Sequence, residues 1–393
     1  MNEHFSSRNF TLGILGGGQL GRMLIQKAID LNISTAVMDP DANAPCKHLC
    51  ERFVNADFKN YDAVYAFGKT VNLLTVEIEH VNVDALQQLE SEGLKVYPQP
   101  HILKLVQDKG LQKQFYRINK IPTASFKCIA NKHELNDYDG PLPVIQKLRT
   151  EGYDGKGVMK HDSKNDFNKG FEAPSILEEC IDFEKEISVI VARNAKGEVS
   201  NYPVVEMEFN AEVNLVEFLI SPATLSQQTE NDAIQIARSI IEKLELIGLL
   251  AVELFVTKEG NVLVNEIAPR PHNSGHQTIE GNSTSQYEQH LRAILNLPFG
   301  DTAIVQPSVM VNLLGEKGFT GEANYQGIEE VLQMSGAHIH LYGKKITKPF
   351  RKMGHVTVTD ISKEEAILKA KIVKEKLKVV AVSDELKLDV GLY

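Results

Sequence analysis

Residues 249–267 read LLAVELFVTKEGNVLVNEI. Two apolar, β-branched runs flank Lys258-Glu259-Gly260-Asn261, the pattern of a β-hairpin. Pairing symmetric about that turn sets Glu253 directly across from Glu266. Like charges directly opposite one another destabilise a sheet, so the two acids either share a divalent cation or stand as solvent-facing groups on an exposed ladder. Oxygen-only ligands with Asn265 beside them suit magnesium carrying nucleotide phosphates. Glu253 and Glu266 are therefore candidate metal ligands.

Directly after the hairpin come Ala268-Pro269-Arg270-Pro271-His272-Asn273-Ser274-Gly275-His276. Two prolines fix the backbone, while Arg270, His272 and Asn273 carry heads able to orient a small anion beside the metal. A plain structural loop is the alternative. Before the hairpin, Ile234, Ala237, Ile240, Ile241, Leu244 and Ile247 mark one face of a helix, with Thr229 and Asp232 as the expected capping box and Gly248 as the expected stop. Earlier still, the chain reads as short strands at 144–147, 175–178, 187–192, 202–205 and 216–220, joined by Gly-, Asp- and Asn-rich turns. This is α+β texture. Gly152-Tyr153-Asp154-Gly155-Lys156-Gly157 interrupts it, either as a flap that lays backbone N–H groups and a cation over phosphates or as an ordinary hairpin turn. It is not a Walker loop, since G-x-x-x-x-G-K-[ST] occurs nowhere. Lys109 and Lys147 precede it, and Glu178-Glu179-Cys180-Ile181 and Glu186 follow as strand-end groups that can bracket a base and ribose.

The N-terminal part alternates strand-like and helix-like stretches, as parallel sheets do. A strand at 10–15 meets glycines 16–18, then Leu20, Met23, Leu24, Ala28 and Leu31 recur at helical spacing. Further strands at 35–38 and 71–76 end at Asp39-Pro40 and Glu77-Ile78-Glu79-His80. Charges gathered at a strand's carboxyl end mark where open α/β sheets bind ligands. Gly16, Gly18 and Gly21 satisfy G-x-G-x-x-G with Asp39 in the ribose position, which alone indicates a dinucleotide. Gln19 and Arg22 put polar groups at the same turn and nothing downstream resembles a hydride-transfer site, so the glycines equally suit another phosphate or ribose. Near the C-terminus, strands at 338–342 and 355–359 precede a Lys-rich amphipathic helix from Ser362, whose lysines read as a solvated face.

The 393 residues suffice for two or three domains. With 42% hydrophobic and 24% charged residues the chain is of folded composition. Lys and Arg number 42 against 52 Asp and Glu, and the resulting net charge of −10 argues against nucleic-acid or anionic-membrane binding. No apolar run approaches the ~18 residues of a membrane span and no basic-then-apolar leader opens the chain, so a cytoplasmic protein is expected. Four cysteines fit that compartment. Cys46 and Cys50 around His48 lack the second ligand pair of a zinc site.

With these residues assembled, the chain resembles the ATP-grasp superfamily and, within it, the 5-(carboxyamino)imidazole ribonucleotide synthase family. GILGGGQLGRM (13–23), EIEH (77–80), Asp108-Lys109, YDGKG (153–157), FEKEISVIVAR (183–193), LLAVELFV (249–256), VNEIAPRPHNSGH (264–276) and RKMGHVTV (351–358) occur in family order. The resemblance implies a three-part fold of α/β and α+β type: an N-terminal parallel-sheet domain (1–107), a central lid domain (108–200), and a C-terminal lobe with a small C-terminal subdomain (201–393). It implies ATP- and bicarbonate-dependent carboxylation of the exocyclic amine of 5-aminoimidazole ribonucleotide, through carboxyphosphate, in purine biosynthesis. ATP as co-substrate, Mg2+ and a homodimer are implied with it. ATP then meets Lys109, Lys147, the flap residues Gly152, Tyr153, Asp154, Gly155, Lys156, Gly157 and Val158, the hinge residues Glu178, Glu179, Cys180 and Ile181, and Glu186, Asn265 and Glu266. Gln19, Glu77 and His80 meet the ribonucleotide, with Lys344, Arg351 and Lys352 at its phosphate. Asp154, Lys156, Arg270, His272, Asn273 and Lys344 are the implied catalytic residues, Asp154 orienting or deprotonating the amine.

Some positions depart from the family pattern. Glu151 stands where Gly is common, Val158 where Gln is, and Met207-Glu208-Phe209 where the family shows Asn, an apolar residue and His. The last removes an expected polar nucleotide contact, so Phe209→His is expected to preserve activity and tighten ATP binding unless Phe209 is a core residue. A formate-using glycinamide ribonucleotide transformylase or a biotin-carboxylase-like enzyme shares the metal acids, and a non-catalytic nucleotide sensor shares the fold.

Overall fold

The computed structural model describes residues 9–150, 152, 157–210 and 215–382. Glu151 and the flap residues Tyr153, Asp154, Gly155 and Lys156 lie outside them. The N-terminal domain is a five-stranded parallel sheet in the order Arg52–Asn55, Ser34–Asp39, Thr11–Leu15, Leu73–Val76, Lys95–Tyr97. Its central strands are buried along almost their whole length, as parallel strands covered by helices on both faces must be. The order reverses at Thr11–Leu15, so the glycine turn and Glu77 share the carboxyl edge where such sheets open a crevice. Gly16 sits at φ +96° there, and a Cβ on it would come within 2.5 Å of Cγ of Glu77.

Helix Lys109–Ile118 leads into the second layer, capped by Asp108, which accepts from Gly110 and Leu111. The lid is a four-stranded antiparallel sheet ordered Phe126–Ile129, Ser175–Glu179, Val144–Leu148, Val158–His161. The next strand, Phe183–Arg193, belongs to the C-terminal lobe, where it lies between Gly248–Thr257 and Val205–Phe209. The lid sheet thus closes about twenty residues before the expected boundary at 200, because its last strand connects directly into the large sheet.

That sheet has nine strands, Val262–Ala268 at one edge and Ala337–Leu341 at the other. One face packs Ile187, Val189, Val252, Leu254 and Ile267 against Ala233, Ala237, Ile240 and Ile241 of helix Gln227–Lys243. Ser226, not Thr229, caps this helix: its Oγ accepts from Thr229 N at 3.1 Å, while Asp232 takes Gln228 on the exposed side. The helix stops at Lys243 with Glu245 left-handed at φ 51°, and Gly248 opens the following strand instead of ending the helix. The strand expected at 202–205 begins only at Val205, because Tyr202 turns into the core and donates to Thr284 O at 3.0 Å. In the final helix, Lys363–Lys376, the lysines lie at the surface as expected, with Lys369, Lys374 and Lys376 paired to Asp360, Glu217 and Glu330 at 2.6, 2.8 and 2.5 Å. Of these pairs, Lys374–Glu217 ties the helix to the sheet strand Val216–Ser221. Among the described residues no helix is long and apolar enough to cross a membrane.

Candidate active site

The second face of the nine-stranded sheet carries the polar residues. Glu266, Glu253, Ser188 and Val205 form one cross-strand row, and Phe255, Glu186, Met207, Leu219 and Met310 the next. Glu253 does pair with Glu266, but through a bulge: on the turn side Leu254 faces Val264, so Asn265 is an extra residue. Burial first, then Glu266 and Glu186, push the Glu253 carboxyl up to about 8. Glu266 instead falls to about 2, chiefly because Lys109 Nζ lies 2.7 Å away. Glu186 is raised to about 7 by burial, against the pull of Lys147.

The cations arrive from the lid side. Lys147 Nζ reaches Glu178 at 2.7 Å and Asn265 Oδ1 at 3.1 Å, and Lys113 pairs with the other oxygen of Glu178 at 2.7 Å. Lys109, Lys113, Lys147, Glu178, Asn265 and Glu266 enclose only about 10 Å³. The roomier space is a cavity of about 400 Å³ toward the hinge, lined by Ser125, Glu179, Ile181, Thr257 and Leu263. Cys180 is half-buried beside it in sequence. Val158 opens a lid strand opposite Lys147 and is exposed. Gly157 is left-handed at φ +75°, and a Cβ on it would lie 3.3 Å from Gly152 Cα, so the two ends of the flap are neighbours.

The loop after the hairpin folds back over the acids. His272 Nδ1 is 3.7 Å from Glu253 Oε1 and 2.9 Å from Ser274 Oγ, which in turn meets Ser188. Burial, then Arg270 and Lys352, push the His272 ring down to about 4, so it is neutral. Arg270 reaches across to Glu79 of the N-terminal domain at 2.6 Å. Asn273 exchanges two amide hydrogen bonds with Asn312, 2.9 and 3.0 Å, which anchors the loop to strand Ser308–Leu314.

Gln19 and His80 stand at the carboxyl edge of the N-terminal sheet, Gln19 as the first residue of helix Gln19–Asp30. Glu77 accepts from Gly18 N and Gly21 N at 2.9 and 3.0 Å, and Asp39 from Gly17 N at 2.7 Å. The protein's own carboxylates thus fill the anion positions of the glycine turn, which removes the dinucleotide reading. Cys46 is buried against the same turn, and no metal-binding group of three or more His, Cys, Asp or Glu occurs among the described residues. In the basic tail, Lys344 Nζ donates to Lys352 O at 2.7 Å while Arg351 folds back onto Ile346 O at 2.6 Å. Lys352, not Arg351, is felt by Glu253 and His272. Phe209 and Met207 belong to an apolar cluster with Val205, Leu219 and Met310. Phe209 is half-buried and packs against this cluster, so a His there would give up apolar contact. Glu79, Lys113 and Asn312 were legible only as ordinary charged or polar residues, since their partners lie far away in sequence.

A parallel-sheet domain, an antiparallel lid and a second sheet offering opposed carboxylates beneath that lid define an ATP-grasp protein. The chain matches the ribonucleotide synthetase preATP-grasp domain over residues 10–107, the ATP-grasp domain over 114–287 and the phosphoribosylaminoimidazole carboxylase C-terminal domain over 308–369. It is similar to the N5-carboxyaminoimidazole ribonucleotide synthetase of Thermotoga maritima, with 41% identity and a TM-score of 0.88 over 95% of this chain and 100% of that one. The Aspergillus clavatus synthase solved with ADP and 5-aminoimidazole ribonucleotide is 34% identical, with a TM-score of 0.86 over 93% of this chain and 98% of that one. The chloroplastic phosphoribosylaminoimidazole carboxylase of Vigna aconitifolia is 38% identical over 89% of this chain, which spans only 64% of that relative's length. The chain belongs to the N5-carboxyaminoimidazole ribonucleotide synthetase family.

Proposed function

We propose that the chain uses ATP and bicarbonate to carboxylate the exocyclic amine of 5-aminoimidazole ribonucleotide, releasing ADP and phosphate. The observation that carries this reading is the meeting of two kinds of group on one hairpin and its following loop: the Glu253–Glu266 pair for a nucleotide's metal, and Arg270 with neutral His272 beside it for a small anion.

The cavity toward the hinge takes the base end of the nucleotide, with Glu179, Cys180 and Ile181 along it and Glu186 near the ribose. Lys109 and Lys147 take the phosphates. Glu253 and Glu266 would hold magnesium, whose charge would favour the ionised Glu253 carboxyl against the burial and, after it, the Glu266 and Glu186 charges that raise it to about 8. When bound, the ion neutralises charge on the transferring phosphoryl group. Arg270 supplies a planar fork matched to bicarbonate. Bicarbonate oxygen attacks the γ-phosphorus and ADP leaves, giving carboxyphosphate. The amine then attacks the carboxyl carbon, phosphate departs, and the amine proton passes to a base, for which Asp154 of the flap is the candidate. Lys156 in the same flap is the candidate cation over the phosphates. Water destroys such an anhydride, so closing the flap is part of the chemistry. The ribonucleotide lies along the N-terminal edge by Gln19, Glu77 and His80, with Lys344, Arg351 and Lys352 toward its phosphate.

The test is ADP release measured with each substrate omitted in turn. Turnover must require both bicarbonate and 5-aminoimidazole ribonucleotide. Turnover with glycinamide ribonucleotide plus formate instead would assign the sister activity, and none in any mixture would leave a nucleotide sensor. We further infer a cytoplasmic homodimer, which sedimentation as a monomer at micromolar concentration contradicts.

A further inference from the structure

The second acid of the 77–80 segment has no part in the chemistry above. Glu77 turns to the glycine turn, whereas Glu79, two residues on, leaves its own domain to meet Arg270, with Oε1 2.6 Å from Nη2 and the two side chains only 14% and 16% exposed. Burial raises the Glu79 carboxyl, but the guanidinium outweighs it and holds the group below the ordinary carboxylate range. Arg270 Nη1 donates to Pro271 O at 3.0 Å. Behind Glu79, Gln107 Nε2 donates to Glu79 O at 2.7 Å and to Val81 O at 2.9 Å, which pins the segment from the other side.

A guanidinium is a flat fork with all its N–H donors in one plane. Two anchors on its terminal nitrogens fix the plane in which it grips an anion. A carboxylate on Arg270 weakens its pull on bicarbonate, so attraction is not what the pair supplies. Orientation is. Arg270 follows Glu266 by four residues, and it also lies close enough to Glu77 to lower that group's carboxyl against burial. Without Glu79 the fork has the neighbouring Glu77 as a competing acid onto which to collapse.

We propose that Glu79 is a positioning residue for carboxylation, holding the Arg270 fork in the plane that receives bicarbonate and away from Glu77. This rests on the reading of Arg270 as the bicarbonate residue. It makes the N-terminal domain part of the bicarbonate site and not only of the ribonucleotide site.

Glu79→Gln keeps the shape and an acceptor but removes the charge. It should lower kcat/KM for bicarbonate by about tenfold or more, with ADP affinity by calorimetry and KM for ATP within about twofold of the parent. A positioning residue acts only through its partner, so adding Glu79→Gln to Arg270→Gln should cost nothing further in kcat/KM for bicarbonate. Glu79→Asp, which keeps the charge at shorter reach, should show the same split in milder form and serves if Glu79→Gln fails to fold. Unchanged bicarbonate kinetics in a folded Glu79 variant, equal losses for bicarbonate and ADP, or additive losses in the double variant would each overturn the proposal. A parent chain with no bicarbonate-dependent ADP release would instead overturn the proposed reaction itself.

Discussion

Asn265 is the residue on which the metal candidates depend. From the turn the hairpin pairs Leu254 with Val264, and an uninterrupted ladder would next set Glu253 against Asn265 and Val252 against Glu266. Strand side chains alternate faces, so Glu266 would then point with Val252 into the helix-packed core. The extra residue turns Glu266 back to the cleft. The two acids differ in consequence. The Glu253 carboxyl is raised by burial and then by Glu266 and Glu186, so its charge is disfavoured before a metal binds, and Glu253→Gln should leave Tm unchanged or raise it. Glu266, at about 2 and paired with Lys109, is ionised, so Glu266→Gln should lower Tm. Both should lose magnesium-dependent turnover. Equal Tm changes in the two variants would refute the assignment of charge. At Phe209, substitution by His puts a polar ring into the cluster of Val205, Met207, Leu219 and Met310, and should cost about 1–2 kcal/mol without tightening ATP binding. Tighter ATP binding at full stability would show that the site accepts the ring as a ligand contact.

Among elements, the decisive joint is the one that ties helix Lys109–Ile118 to two lid strands through Lys113, Glu178 and Lys147. Glu178 and Lys113 are almost wholly buried, and Lys147 nearly so. Burial raises the Glu178 carboxyl, but Lys147 and Lys113 outweigh it and keep it ionised. Removing the shared carboxylate strands two ammonium groups, so Glu178→Ala should cost about 3–5 kcal/mol in denaturant unfolding. Lys113→Met should change stability by less than about 1 kcal/mol, since Glu178 keeps Lys147 and burial already disfavours the Lys113 charge. If both variants cost the same, the carboxylate is not the hub.

Across the whole chain, the lobes meet over buried neutral histidines. His290 Nε2 lies 3.0 Å from Thr75 Oγ1, joining the C-terminal lobe to the N-terminal sheet, and burial pushes its ring down to about 3. His276 and His355 stack at 4.6 Å, each held by a tyrosine hydroxyl, Tyr287 at 2.9 Å and Tyr342 at 3.0 Å. Burial drives both well below the ordinary imidazole value. The unfolded chain therefore takes up these protons first. Stability from the three rings is complete above about pH 6.5 and is lost as pH falls, at up to roughly 1.4 kcal/mol per pH unit for each ring. The lowered carboxylates Glu79, Glu178 and Glu266 begin to matter only below about 4.5. The three rings, with His272 lowered to about 4, draw unfolding free energy down between pH 6.5 and 5, while the raised Glu253 and Glu186 take up protons in the folded state and oppose the fall; His290→Asn should reduce proton uptake on unfolding in this window by about one. The same slope in the parent and in His290→Asn would mean that this ring is not buried neutral.

Local and periodic features could be read from the residues alone: the hairpin, the glycine turn, the alternation of the N-terminal sheet and the ordered motifs each lie within a few residues, where spacing dictates which side chains share a face. The opposition of Glu253 and Glu266 was legible in this way, although the symmetric turn that suggested it acts only with the bulge at Asn265. Whatever depends on distant partners was settled by the folded arrangement. Glu79 against Arg270, Lys113 against Glu178 and Asn273 against Asn312 join residues separated by far more than any turn or helix can span. The lid boundary and the start of the strand Val205–Phe209 moved for the same reason: sheet membership is set by hydrogen bonding to neighbours remote in sequence, and burial of Tyr202 outweighs its strand-forming preference.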